Sequence, residues 1–253
     1  MTEPVLIDGH VHIYPDFDLS TFLDAASRNF PGRRGCLLLT ETARDHAFAA
    51  LRDAQGLPAG WQVQTFADDP AALCLRGKDA VLWVIAGYQL VSAEGIEVLT
   101  VCTTDRWPDG LTLDEIMARL AEAGRPAILP WGVGKWIGRR GQILADLLDR
   151  GVPPGVHLGD NAGRPGFWHE PPLFARARAA GLAVLPGSDP LPVPGGDRDP
   201  GRFGFTLSGA ISDSAPAQDI AARLVGLTAQ PAMFGTRTGS LSFLRQQIQL
   251  RMK

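Results

Sequence analysis

His10-Val11-His12 sets two imidazoles two residues apart, directly after the apolar run at residues 5–7. On a β-strand, residues i and i+2 point to the same face, so both rings project together while Val11 packs behind them. Such a pair can ligate one divalent metal ion. The alternative is two hydrogen-bonded histidines at a strand end. A second signal lies far along the chain, where the apolar run at residues 182–185 leads into Gly187-Ser188-Asp189. A strand that ends this way delivers a carboxylate to its mouth, as a hard oxygen ligand or as a base for a metal-bound water. The blander reading is an Asx-turn or helix-cap aspartate. Taken with His10 and His12, Asp189 is the favoured partner on a common ion.

Three cations fall on loops expected after strands: Lys135, Arg164 and Arg202. Guanidinium forks match phosphate or carboxylate oxygens bidentately and a lysine supplies a point charge, so these three are candidate substrate contacts, the alternative being ordinary solvated charge. Arg164 closes a turn-rich segment, residues 159–164, of a kind suited to ligand binding. His157, on the strand before that loop, is open as a ligand, an acid/base catalyst or a structural histidine. His46 and His169 read as surface and loop residues. Trp131, Trp136, Phe167 and Trp168 line either a pocket wall or the core. No Gly-Lys-Ser/Thr phosphate loop, Gly-x-Ser-x-Gly elbow or dinucleotide fingerprint occurs.

The elements that must hold these groups follow from rhythm and punctuation. Strand-like runs at residues 5–7 and 36–39 are followed by helical patterns, the first capped by Asp18 or Ser20. Residues 61–66, 72–75, 80–91 and 96–102 are β-rich, with residues 92–95 as a hairpin turn. From residue 111 strands and helices alternate. Thr112 and Glu115 form a capping box stopped by Gly124 and Pro126, and further helices are expected over 140–150, 173–180, 218–227 and 243–250. Such alternation predicts parallel βαβ units, and about seven strands would close into a barrel. With neither repeat nor linker, the whole chain, residues 1–253, reads as one domain.

At 253 residues the chain can bury a large core without disulfides or structural metal. Its 24 Lys+Arg against 27 Asp+Glu give a formal net charge of −3, which offers no basic footprint for nucleic acid, so none is expected as a partner. Cys36, Cys74 and Cys102 lie in or near apolar runs, as buried thiols of a reducing compartment do. No stretch is long and apolar enough to span a membrane, and the opening residues lack a signal-peptide pattern. A cytoplasmic location is therefore expected, with a homo-oligomer open through the apolar positions Phe243, Ile248 and Leu250.

The stretch Ile7-Asp8-Gly9-His10-Val11-His12 and the later Gly187-Ser188-Asp189 resemble the polymerase-and-histidinol-phosphatase (PHP) family. Residues 86–90, 95–99 and 201–204 extend the likeness over about residues 5–205. That resemblance implies a metal-dependent phosphoesterase on a distorted seven-stranded (β/α) TIM-like barrel, with an antiparallel hairpin irregularity near residues 80–102. It implies a small phosphorylated or carboxylated substrate and a divalent Zn, Mn or Fe cofactor. The departures are specific. Gln89 stands where the family has a metal-bridging Glu, Glu97 where it has His, Pro130-Trp131-Gly132 where it has Ala-His-Pro, and Leu191 where it has His. A three-metal cluster cannot be carried over, but His10, His12, Glu97 and Asp189 could hold one ion, with neutral Gln89 on the substrate. Two other readings stay open. An amidohydrolase would use Lys135 as a carbamate bridge and His157 as a ligand; a non-catalytic relative would retain the barrel around an eroded centre.

Overall fold

The structure is a computed structural model that describes residues 3–239; the helix expected over 243–250 lies outside them. The strands are β1 (Val5–Val11), β2 (Arg34–Leu39), β3 (Gln62–Thr65), β4 (Ala72–Arg76), β5 (Val81–Ile85), β6 (Gly87–Val91), β7 (Glu97–Val101), β8 (Ala127–Pro130), β9 (Val156–Asn161), β10 (Val184–Gly187), β11 (Phe203–Leu207) and β12 (Met233–Gly235). The helices are α1 (Leu19–Asn29), α2 (Ala47–Arg52), α3 (Leu113–Ala123), α4 (Arg139–Arg150), α5 (Pro172–Ala179) and α6 (Pro216–Val225). None of the described helices is long and apolar enough to cross a membrane.

Local signals set the helix ends. The Asp18 carboxylate accepts from Thr21 N at 2.7 Å and opens α1. Thr112 and Glu115 cap each other across the first turn of α3, which Gly124 ends at φ +59°. The turn between β6 and β7 is held by Ser92, whose hydroxyl accepts from Glu94 N and Ile96 N at 3.2 Å each.

The closed seven-stranded barrel implied by the family resemblance does not form. The described strands divide into a seven-stranded sheet, ordered β12-β11-β1-β2-β5-β4-β3, and a five-stranded sheet, β10-β9-β8-β7-β6. Each strand has two hydrogen-bonding edges. β1 gives one to β2, in parallel, and the other to β11, antiparallel. β11 therefore occupies the first half of the edge, over Val5–Ile7, that β10 would need to close a barrel, and β10 forms no ladder with β1. The 80–91 run breaks at Ala86, so that β5 pairs in one sheet and β6 starts the other. The β6–β7 hairpin is present, but as the edge of the second sheet.

Alternation along β7, β8 and β10 then packs both faces of the second sheet. Leu99, Ile128 and Leu185 face the core shared with Ile7, Leu37 and Phe22, while Val98, Leu129 and Val184 face the layer with Ile116, Leu144 and Phe174 of α3, α4 and α5.

The two sheets touch at seams. Glu41 N donates to Gly87 O at 3.2 Å and Gln89 N to Glu41 O at 2.8 Å. At the other seam Asp189 N donates to His10 O at 2.8 Å, and Gly187 lies so close to His10 that a Cβ would strike its backbone nitrogen. Replacing Gly187→Ala is expected to lower stability by about 1–3 kcal/mol through overpacking. Urea unfolding checks this, and an unchanged midpoint would contradict so close an approach.

Candidate metal centre

β1 carries His10, and His12 follows just beyond its end. Val11 between them is fully buried, as strand alternation requires. The two Nε2 atoms lie 2.9 Å apart, and Asp189 Oδ1 lies 3.6 Å from His10 Nε2 and 3.9 Å from His12 Nε2. Among the described residues this is the one group of three or more His, Cys, Asp or Glu side chains whose ligand atoms converge, within 4.8 Å of one another. A point equidistant from the three atoms is about 2.0 Å from each, the length of zinc bonds to imidazole nitrogen and carboxylate oxygen.

Electrostatics favour the same use. Burial pushes the pKa of both imidazoles down to about 3; the positive charge of Lys135 adds to the effect on His10, and His10 adds to it on His12. The rings are neutral at physiological pH and keep lone pairs for a cation. His12 Nδ1 and Asn161 Oδ1 are buried without a hydrogen-bond partner among the described residues, so this corner holds unmet polar capacity. Donor set and unmet capacity together fit one divalent ion.

The carboxylate is placed with similar care. Asp189 adopts φ +47°, a left-handed conformation that few side chains other than Asp and Asn tolerate. Its Oδ2 accepts from Asn161 Nδ2 at 3.0 Å, and the same amide nitrogen donates to Trp131 O at 2.8 Å. Asn161 ends β9 and so ties three strand ends together. Tyr14 stacks on His12 with centroids 5.4 Å apart, its phenol held protonated by burial and nearby carboxylates. Asp8, fully buried below the triad, accepts from Ser188 N at 2.7 Å, Gly201 N at 2.8 Å and His10 N at 3.4 Å. Asn161, Tyr14 and Asp8 carried no role in the sequence reading. Asp8 stood in the quoted motif, and Asn161 in the turn-rich loop.

The other candidate residues scatter. Gln89, on β6, lies against His10, whose protonated form its side chain favours. Glu97, at the start of β7, does not join the three converging ligands; it forms an ion pair with Lys135 instead. Arg164 is not free for substrate: it is buried and grips Asp160 through Nε at 2.8 Å and Nη2 at 2.7 Å, with Arg237 adding a bond to Asp160 at 2.9 Å. Arg202 pairs with Asp199 at 2.6 Å. His157 lies away from the triad. Its Nδ1 accepts from Ala183 N at 3.2 Å, so Nε2 carries the proton and donates to Leu224 O at 2.9 Å, leaving neither nitrogen for an ion. With His157 so engaged and Lys135 paired to Glu97, the amidohydrolase ligand set is not assembled. Trp131 is buried, whereas Phe167 and Trp168 are exposed.

The chain is similar in structure to PsfC from Pseudomonas syringae, with a TM-score of 0.62 at 18% identity, covering 99% of this chain and 100% of that one. It is also similar to PfuEndoQ, a lesion-specific endonuclease from Pyrococcus furiosus, with a TM-score of 0.50 at 11% identity over 89% of this chain. The matched region is 56% of the endonuclease, so the chain corresponds to about half of that protein. The likeness is one of fold. No family model matches the chain, and no curated protein does. One expectation is corrected: the mild net acidity does not exclude nucleic acid, because an endonuclease is built on a similar fold. Net charge is a whole-surface sum and says little about the field inside one cleft.

Two outcomes follow from these contacts. Asn161→Ala, which frees Asp189 Oδ2, is expected to weaken metal binding about ten- to a hundredfold, read by calorimetry; unchanged affinity would show that Asn161 does not position the carboxylate. Burial also lowers the pKa of His157, while the unfolded chain takes up that proton near 6.5. The unfolded state thus binds more protons on acidification, and stability falls as the pH drops below about 6.5. Urea unfolding from pH 7 to pH 5 should show a smaller loss in His157→Gln than in the wild type.

Proposed function

We propose that the chain is a divergent PHP-type, metal-dependent hydrolase that cleaves a phosphoester. The observation that carries this is the convergence of His10 Nε2, His12 Nε2 and Asp189 Oδ1 from strand ends about 180 residues apart in sequence. The match of the opening and Gly-Ser-Asp motifs to the PHP pattern, and a fold similar to that of a lesion-specific endonuclease, support it.

His10, His12 and Asp189 would hold the ion. When bound, a divalent ion polarises a phosphoryl oxygen and lowers the pKa of water toward neutrality. The chain's own groups set the geometry. The neutral imidazoles present lone pairs without first losing protons. Asn161 holds Asp189 Oδ2, so that Oδ1 faces the two rings. The Tyr14 ring stacks on His12 and helps fix the orientation of its imidazole. Gln89, beside His10, offers a neutral amide to a substrate oxygen. The substrates to test include both small phosphoesters and nucleic-acid phosphodiesters.

The purified protein is expected to bind Zn²⁺ or Mn²⁺, to hydrolyse a generic phosphodiester or lesion-bearing DNA, and to lose that activity on chelation. His10→Ala/His12→Ala should weaken metal binding by more than about a hundredfold and abolish hydrolysis. Metal content and turnover that survive the double substitution would end this reading.

A further inference from the structure

Building on the hydrolase reading, we infer that the centre takes a single divalent ion and that Lys135 supplies, as a fixed ammonium, the second positive charge facing an anionic substrate. Two divalent cations a few ångströms apart require carboxylates to bridge and neutralise them. Those groups are missing here. The converging set among the described residues ends with one carboxylate, Asp189. Gln89 beside His10 is neutral. Glu97 is already paired with the Lys135 ammonium.

The backbone makes room for that ammonium. Gly132 lies under the Lys135 side chain, and a Cβ there would meet Lys135 Cγ at 3.0 Å and Cε at 2.7 Å. The lysine stem runs back across the glycine toward β7, and Glu97 holds its tip. Gly132 belongs to the Pro130-Trp131-Gly132 segment, where the resemblance would have set a ligand-bearing Ala-His-Pro. An absent ligand and a folded-back lysine therefore occur together. Gly132 directly follows Trp131, whose carbonyl accepts from the same Asn161 amide that donates to Asp189 Oδ2, which sets the Lys135 stem beside the triad.

The charges then fall into place. One divalent ion against Asp189 leaves one net positive charge, and Lys135 against Glu97 leaves none. The centre as a whole is cationic, yet its ammonium can swing a hydrogen bond from Glu97 to an incoming oxyanion. Phosphoryl and carboxylate groups share that chemistry, and a phosphoryl group presents more oxygens to the ion and the ammonium at once.

Equilibrium dialysis with Mn²⁺ or Zn²⁺ alone, followed by titration of the Mn²⁺-loaded protein with inorganic phosphate, tests this without reference to turnover. Wild type should bind one ion per chain. Lys135→Gln should bind that ion as tightly or more tightly, since a neighbouring positive charge is gone, while its phosphate affinity falls about tenfold or more. Gly132→Ala, which leaves the lysine in place but displaces its stem, should shift phosphate affinity in the same direction. Two or more ions per wild-type chain, phosphate affinity indifferent to Lys135, or joint loss of metal and phosphate binding in Lys135→Gln would each overturn the inference. A wild-type chain that binds no ion removes the hydrolase reading and this inference with it, whereas two ions remove this inference alone.

Discussion

The site depends on one buried carboxylate that would not touch the ion. Asp8 collects backbone N–H groups from His10, Ser188 and Gly201, joining three parts of the chain that are up to 193 residues apart in sequence. Burial drives its pKa up to about 7 against the pull of those donors. A buried carboxylate with no cation partner is costly unless its lone pairs are filled, and here amide hydrogens fill them. Their geometry fixes β1 against the end of β10, and the His10 O to Asp189 N bond completes the seam. His10 and Asp189 meet because the main chain on either side of each is held by the same short set of hydrogen bonds.

That seam also explains why a molecule with barrel-like chain rhythm is not a barrel. β11 takes the edge of β1 over Val5–Ile7, and beyond it β10 meets β1 by close packing through Gly187 and the backbone hydrogen bond from Asp189 N to His10 O. A continuous ladder would have committed the backbone groups of residues 187–189 to pairing. Left out of a ladder, Asp189 can take up its left-handed conformation and turn its side chain toward the histidines. Opening the sheet and placing the ligand are thus one structural event.

What the sequence made legible was local. The capping box at Thr112, the Ser92 turn, the capping Asp18 and the shared face of His10 and His12 each depend on residues within about four positions, where spacing alone carries the geometry. Barrel closure failed as an expectation because it turned on a distant strand, β11, claiming the free edge of β1 from some 200 residues away. The candidate cations proved to have carboxylate partners. Arg164 has its carboxylate partner four residues earlier, at Asp160, within the same turn-rich loop, so its engagement was open to reading from spacing. Lys135 and Glu97 lie 38 residues apart, and their pairing was not.

The pattern of polar satisfaction separates framework from site. Along the framework, demanding groups are met: Asp8 by amide hydrogens, His157 by one backbone donor and one backbone acceptor, Asp160 by two guanidinium groups. At the triad the accounting breaks down. His12 Nδ1 and Asn161 Oδ1 are buried and unpartnered, two ring nitrogens face each other across 2.9 Å, and a carboxylate oxygen approaches both. One proton shared between the facing ring nitrogens satisfies that pair but gives the carboxylate oxygen no hydrogen, whereas a cation held by all three atoms would use the lone pairs of each. Four of the five buried, unpartnered side-chain atoms among the described residues, on His12, Gln89, Asn161 and Ser188, belong to the triad or its immediate neighbours, the exception being Arg237 Nε, and the donor set at that corner could hold a metal ion.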